Sequence, residues 1–218
     1  MMQLIKKTCM SIMPLFVIGL TGCVTPQPYD YTALQNSKPR SIVVIPPLNN
    51  SVEVGAPYVF LSTISRPLAE KGYYVFPVSV IDNFLKQNGL PTPAEMNTIP
   101  LDKIREHIGA DSVLYVSIEE WGQSYQLVSS VTVVKAHLKL VDTRTGKLLW
   151  HSTAFAQKSS GDGGGGPLGA LIGAIVEQIA SSIIDHTPVL SRQANSHAVF
   201  NSVNGLLNGP YAKPEAKL

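Results

Sequence analysis

Residues 125–141 form a long stretch whose side chains alternate in kind. As a strand it would carry Lys135, His137 and Lys139 on one face and Ala136, Leu138 and Leu140 on the other. A period of two belongs to β-structure. Directly after it comes Asp142-Thr143-Arg144-Thr145-Gly146, a hairpin sequence in which the glycine supplies a positive φ. Residues 148–157 then return as a fifth strand. Residues 111–121 precede the pair and are apolar on both faces, so they belong at the centre of a sheet. An antiparallel meander over 111–157 is the expectation that constrains the rest. The alternating strand suits a half-buried sheet about as well as a lipid-facing barrel wall, because a single strand carries little barrel signal.

Upstream, strands and helices take turns. Residues 41–46 are a short β-branched run closed by Pro46-Pro47, a buried first strand. Residues 48–57 read as loop and 58–65 as helix, with Pro67 starting or kinking a further short helix that stops at Gly72. Residues 73–78 are the second strand. Ser79 can cap a helix over 80–87 with Ile81, Phe84 and Leu85 on one face. Residues 90–100 read as proline-rich loop, and 101–108 as a helix with Leu101, Ile104 and Ile108 on one side. The resulting fold class is mixed α/β (α+β): one three-layer-like domain, a βαβαβ start followed by the meander, with helices at the C-terminus.

The expected organisation has six parts: a signal peptide over 1–22, a lipidated tether over 23–40, the sheet domain over 41–158, a glycine-rich linker over 159–166, C-terminal helices over 167–208 packed on the domain, and a frayed tail over 209–218. The signal follows from Lys6 and Lys7, an apolar run over 9–20, and Leu20-Thr21-Gly22-Cys23. That run is too short to span a bilayer comfortably. The tetrapeptide resembles the lipobox of bacterial lipoproteins. The resemblance implies that Cys23 becomes the acylated N-terminus, carrying thioether-linked diacylglycerol and an amide-linked chain such as palmitate. One chain binds membranes marginally, whereas several hold firmly at about 0.8 kcal/mol per buried CH₂. Val24 stands where an aspartate would resemble an inner-membrane retention signal, which implies the outer membrane with the domain in the periplasm.

Composition narrows the chemistry. The chain has two cysteines, Cys9 and Cys23; the first leaves with the signal and the second is taken by lipid, so the mature domain has no disulfide. Removing Lys6 and Lys7 from the 17 basic residues leaves 15 against 15 acids, a balance that disfavours nucleic acid. The glycine run over 161–166 is followed by Pro167 and Leu168, not by the Lys-Ser/Thr of a phosphate loop, and reads as a linker. His107, His137, His151, His186 and His197 show no metal-ligand spacing, so neither metal nor cofactor is expected. His186 beside Asp185 is explained by a helix terminus. Glu119 and Glu120, as neighbours on a regular strand, should face opposite ways and so not act as a pair. No catalytic residue is expected; a hydrolase is the remote alternative.

Residues 168–184 form a helix pattern with a wide apolar face, Leu168, Leu171, Ile172, Ile175, Val176 and Ile179 among it, beside a stripe holding Gly169 and Gly173. Such a helix either covers the sheet or docks a partner, and Glu177 argues against a full span.

Three stretches carry a family resemblance: PLAEKGYYVFPV from Pro67 to Val78, Gly109-Ala110-Asp111, and the hairpin from Asp142 to Trp150. Together they resemble a bacterial lipoprotein family of unknown function related to the lipoproteins around the curli secretion channel CsgG. Structurally, Gly72 and Gly109 end helices, Asp111 can bond its turn, and Trp150 packs across the sheet. The resemblance implies a non-enzymatic accessory subunit of an envelope assembly or transport complex, with a CsgG-like lipoprotein as partner and a homo-oligomer compatible. A pore-forming subunit is the alternative.

Overall fold

A computed structural model describes residues 28–125, 130–159, 185 and 187–213. The expectations placed on Cys23, on the glycine run and on residues 168–184 lie outside them. The architecture is the expected mixed α/β one, with parallel and antiparallel strands in one sheet ordered β3-β1-β4-β5-β6. Its strands are β1 (Ser41–Val44), β2 (Leu48–Asn49), β3 (Tyr74–Val75), β4 (Ser112–Tyr125), β5 (Ser130–Asp142) and β6 (Leu148–Ser159). The helices are α1 (Thr32–Ser37), α2 (Ala56–Glu70), α3 (Val78–Gln87), α4 (Pro93–Met96), α5 (Leu101–His107) and α6 (Thr187–Phe200). Strands β1, β2 and β3 run parallel to their neighbours, and β4, β5 and β6 form the antiparallel meander.

Strand β4 is central, as its two apolar faces require. One face sends Leu114, Val116 and Ile118 into a core with Phe60, Ile64 and Leu68 of α2 and Ala194, Ala198 and Val199 of α6. The other sends Val113 into a smaller core with Ile81 and Leu85 of α3, Met96 of α4 and Ile104 of α5. The parallel half is thus three layers thick. The apolar face of β5 (Ala136, Leu138, Leu140) is fully buried against the first core. Of the two readings of this strand, half-buried sheet or lipid-facing wall, the domain core takes its apolar face. Among the described residues, no helix is long and apolar enough to cross a membrane.

Several local expectations shift. The two helices expected on either side of Pro67 are one, with Pro67 inside α2; the burial of Phe60, Leu61, Ile64, Pro67 and Leu68 outweighs the hydrogen bond a proline cannot donate. Helix α3 starts at Val78 behind Pro77 rather than Ser79, because the Val80 and Ile81 N–H groups reach the Pro77 carbonyl at 3.0 and 3.1 Å. The loop over 90–100 contains α4, set by a reciprocal capping box between Thr92 and Glu95. The loop over 48–57 opens with β2, which pairs with Ser117 and Ile118. The second strand shrinks to two residues, and Tyr125 belongs to β4 rather than to the strand that follows.

Both ends of the domain are packed where a tether and a tail were expected. Tyr29 Oη accepts from the His151 N–H at 2.8 Å, Tyr31 Oη donates to the Gly205 carbonyl at 2.6 Å, and Leu34 is buried. Past α6 the chain crosses the α2–β3 turn as a strap. Trp150, fully buried, donates through Nε1 to the Asn204 carbonyl at 2.8 Å, and Tyr73 Oη donates to that of Leu207 at 2.9 Å. Burial pushes the Tyr73 phenol up to about 12. The Gly209 and Tyr211 N–H groups then bond the Lys71 and Gly72 carbonyls at 2.7 and 2.9 Å. Gly72 sits at φ +86°, and a Cβ there would lie 2.0 Å from the Ala212 nitrogen. Helix α6 meets α2 through a buried polar trio: Thr63 Oγ1 lies 2.7 Å from Ser191 Oγ and accepts from Asn195 Nδ2 at 2.9 Å.

The β5–β6 hairpin is built on Asp142. Its buried carboxylate accepts from the Arg144 and Thr145 N–H groups at 2.8 and 2.9 Å, from Ser37 Oγ, and from Arg144 Nη2 at 3.3 Å. Burial alone would raise its pKa; the donors, Ser37 first, overcome that and hold it at about 2, against an ordinary 3.8. Asp111 bonds not its own turn but the Arg40 N–H, at 2.9 Å.

Two predictions follow from these contacts. A depressed folded pKa stabilises above the unfolded value and loses that contribution as pH falls toward the folded one. Asp142→Asn should therefore remove about 2 kcal/mol near neutral pH, measured by urea unfolding, and flatten the loss of stability between pH 4 and 2. Gly72→Ala should destabilise by at least ~1 kcal/mol more than Gly89→Ala. Gly89 has a similar φ of +84° but nothing within 4 Å of its absent Cβ. Equal effects would show that the strap does not press on Gly72.

Candidate interaction surface

Helices α3, α4 and α5 cover only the β3–β1–β4 side of the second sheet face. Over the meander no described element covers that face, and its side chains follow from register. Tyr115, Lys139 and His151 lie in one cross-strand row, Ser117, His137 and Thr153 in the next, and Glu120, Lys135 and Phe155 in a third. Lys139, His151 and Thr153 are exposed, and Phe155 is 40% exposed. Lys135 Nζ donates to Glu120 Oε1 at 3.0 Å, and His137 Nδ1 lies 3.1 Å from Thr153 Oγ1. His151 also meets the Tyr29 ring at 5.3 Å between centroids.

A β-bulge changes the face. Ile118 pairs with Ala136, but Glu120 pairs with Lys135, leaving Glu119 as the extra residue. Ser117, on the open face, donates to Glu119 Oε1 at 2.7 Å, and Asn50 Nδ2 donates to the same carboxylate at 3.3 Å. Glu119 and Glu120 therefore share a face, which overturns the expectation from regular alternation. Hydrogen bonds from Ser117 and then Asn50, helped by the charges of His137 and Lys135, hold the Glu119 carboxyl below its usual range. The signal for the bulge was present in the sequence. The core-facing positions Leu114, Val116 and Ile118 are even, and the next, Trp121, is odd. The Asn50 contact had no such signal, since it depends on β2.

The remaining singled-out residues are scattered. His107 ends α5, exposed, and His197 is exposed on α6; His186 lies outside the described residues, and Asp185 accepts from the Thr187 N–H at 2.9 Å. Among the described residues no three His, Cys, Asp or Glu side chains are grouped to hold a metal ion. A groove of about 320 Å³ runs between α1 and the strap, lined by Leu34, Gln35, Lys38, Tyr73, Leu207 and Pro210. The open face is by contrast a plane of mixed charge with an aromatic ring. It can meet another surface through paired charges and Phe155.

Residues 29–211 match a family described as "Putative lipoprotein GNA1162-like". Over 197 residues the chain is 42% identical to "Putative lipoprotein NMB1124/NMB1162" of Neisseria meningitidis serogroup B, covering 89% of this chain and 92% of the relative. The crystal structure of lipoprotein GNA1162 from Neisseria meningitidis superposes with a TM-score of 0.55 at 43% identity, over 66% of this chain and all of that one. A PelC dodecamer from Paraburkholderia phytofirmans gives a TM-score of 0.43 at 16% identity, over 73% of this chain and 86% of that one.

The bulge is testable by deletion. Removing Glu119 keeps Ile118 opposite Ala136 and Glu120 opposite Lys135, so the protein should fold with Trp121 still buried and its fluorescence blue-shifted. Removing Tyr115 instead reverses the facing of one arm of β4 and should give no cooperative unfolding transition. Two equally folded deletions would show that the register is not pinned.

Proposed function

Since the chain belongs to the GNA1162-like lipoprotein family, we propose that it is a lipid-anchored, periplasm-facing subunit of an envelope assembly or transport complex. In this reading it works by binding and not by catalysis. It is held at the outer membrane by acyl chains on Cys23 and turns the open face of the meander toward a protein partner, a CsgG-like lipoprotein being the candidate. The observation that carries the reading is that face: three strands wide, bearing charges of both signs, with Phe155 at 40% exposure on its edge strand β6 and no helix over it among the described residues. An exposed aromatic ring beside charges of both signs is a combination that protein interfaces use. We also propose residues 168–184 as a second contact, through Leu168, Gly169, Leu171, Ile172, Gly173, Ile175, Val176 and Ile179.

The test is native size in mild detergent. Wild type should run well above a monomer, Cys23→Ser should lose the complex, and Phe155→Asp should run as a monomer. Phe155→Asp should remain in the membrane fraction and keep a cooperative unfolding transition, with a loss of about 1–2 kcal/mol for the buried part of the ring and the poorer strand propensity of aspartate. A wild-type monomer, or a complex indifferent to Phe155→Asp, would overturn the use of this face.

A further inference from the structure

The mature chain is balanced in charge, but the folded domain is not. One end of the sheet, its base, gathers the start of β1 and β4, the β5–β6 hairpin, the C-terminus of α1 and the end of the strap. The registers Ile42–Ser112, Ser112–Asp142 and Val141–Leu148 put them level. Five exposed cations stand there: Lys38, Arg40, Arg144, Lys147 and Lys213. Two of them have carboxylate partners: Arg144 Nη2 lies 3.3 Å from the buried Asp142, and Arg40 Nε lies 3.7 Å from Asp111, which is 23% exposed and also accepts from the Arg40 N–H. Lys38, Lys147 and Lys213 are the cations left to face outward. At the margin, Glu70 and Glu106 are paired with Arg66 and Lys103 on their own helices, Asp30 bonds the Thr32 N–H, and Asp102 is exposed. The opposite end carries Glu53, Glu95, Glu119 and Glu120 against two cations, Lys135, already paired to Glu120, and Lys158.

Two further observations fall on the same end. Tyr211 and Tyr74 lie at it, 62% and 53% exposed, the Tyr74 ring edge-on to that of Phe76 at 5.1 Å between centroids. Tyrosines beside basic residues are the composition of a membrane–water interface. The chain also enters the domain here. Tyr29 is fixed to His151, whose partner Lys139 lies three residues from the end of β5. Cys23 precedes Tyr29 by six residues, a reach of at most about 20 Å.

We propose that this base seats on anionic phospholipid headgroups of the leaflet that holds the acyl chains of Cys23, so that the acidic end points away from the membrane and the open face stands upright beside it. The proposal rests on the lipoprotein reading for its anchor, and it adds an orientation. Each cation near an anionic surface raises affinity about fivefold, and the attraction acts within a Debye length of about 8 Å in physiological salt. A six-residue leash keeps the base close enough for that short-range force to act.

The experiment uses the full chain purified from membranes, its intact mass recording acylation at Cys23. Thr145→Cys at the base and Ala94→Cys near α4 provide single thiols for a fluorophore, because the acylated chain has no other. The protein is placed in vesicles of phosphatidylethanolamine and phosphatidylglycerol carrying a headgroup quencher, or in phosphatidylcholine with the same quencher. The label at 145 should be quenched severalfold more than that at 94 in the anionic vesicles. That difference should be lost in phosphatidylcholine, in molar salt, and in Lys38→Glu/Lys147→Glu/Lys213→Glu; the Gln triple variant should fall between. Equal quenching at the two positions, or a difference unmoved by salt and charge reversal, would overturn the proposal, as would a base shielded by a co-purifying protein. If the mass shows no acyl group, the anchor reading fails by itself. Sedimentation of the same chain with anionic against neutral vesicles then decides: binding lost on charge reversal supports the basic seat, and no preference overturns it.

Discussion

Strand β4 is bonded along one edge by parallel neighbours and along the other by an antiparallel one, and the remainder of the domain is arranged around that change of direction. Parallel pairing with β1 requires crossovers, and these are α2 on one face and α3 to α5 on the other. Antiparallel pairing with β5 requires only a hairpin, so among the described residues no helix is delivered to the second face beyond β4. Within those residues the sheet is three layers deep where its strands are parallel and two where they alternate, and the exposed face of the meander is a by-product of connectivity.

The first core explains why the two-layer half is nonetheless well ordered. Trp150, Leu138 and Leu140 sit fully buried beneath α6, and the polar trio of Thr63, Ser191 and Asn195 fixes how that helix lies on α2. Small side chains dominate the contact: Ala194 and Ala198 let the helix approach the sheet closely. Orientation is therefore set by hydrogen bonds at one spot and by close packing along the remainder, so the helix has little freedom to rotate.

The central strand, the hairpin and the alternation of β5 could be read from periodicity, because burial on one face forces alternation. What could not be read was local competition. Pro67 reads as the start or kink of a separate helix because its missing N–H is visible in the sequence while the packing of Leu68 and Ile64 is not. Thr92 and Glu95 spelled a capping box inside a stretch whose prolines argued for loop. The docking of 209–212 depends on Gly72 having no side chain, and a glycine that ends a helix gives no hint of what will lie on it. On the candidate surface, alternation named Lys135, His137 and Lys139 correctly and misplaced Glu119, since one extra residue in β4 inverts every inference drawn past it.

Tyr31 bonds the Gly205 carbonyl, Trp150 the Asn204 carbonyl and Tyr73 the Leu207 carbonyl, so the first described turn of the chain and its last share one seam. That seam would have a mechanical meaning if the domain is held through Cys23, as proposed. Tension arriving through the leash meets Tyr29 and Tyr31 first, and the bonds there join the leash to β6 and to the strap rather than to the interior of the sheet. A strong pull would peel α1 and loosen the strap before it strained a single strand pairing, leaving the meander intact while the groove between them opened.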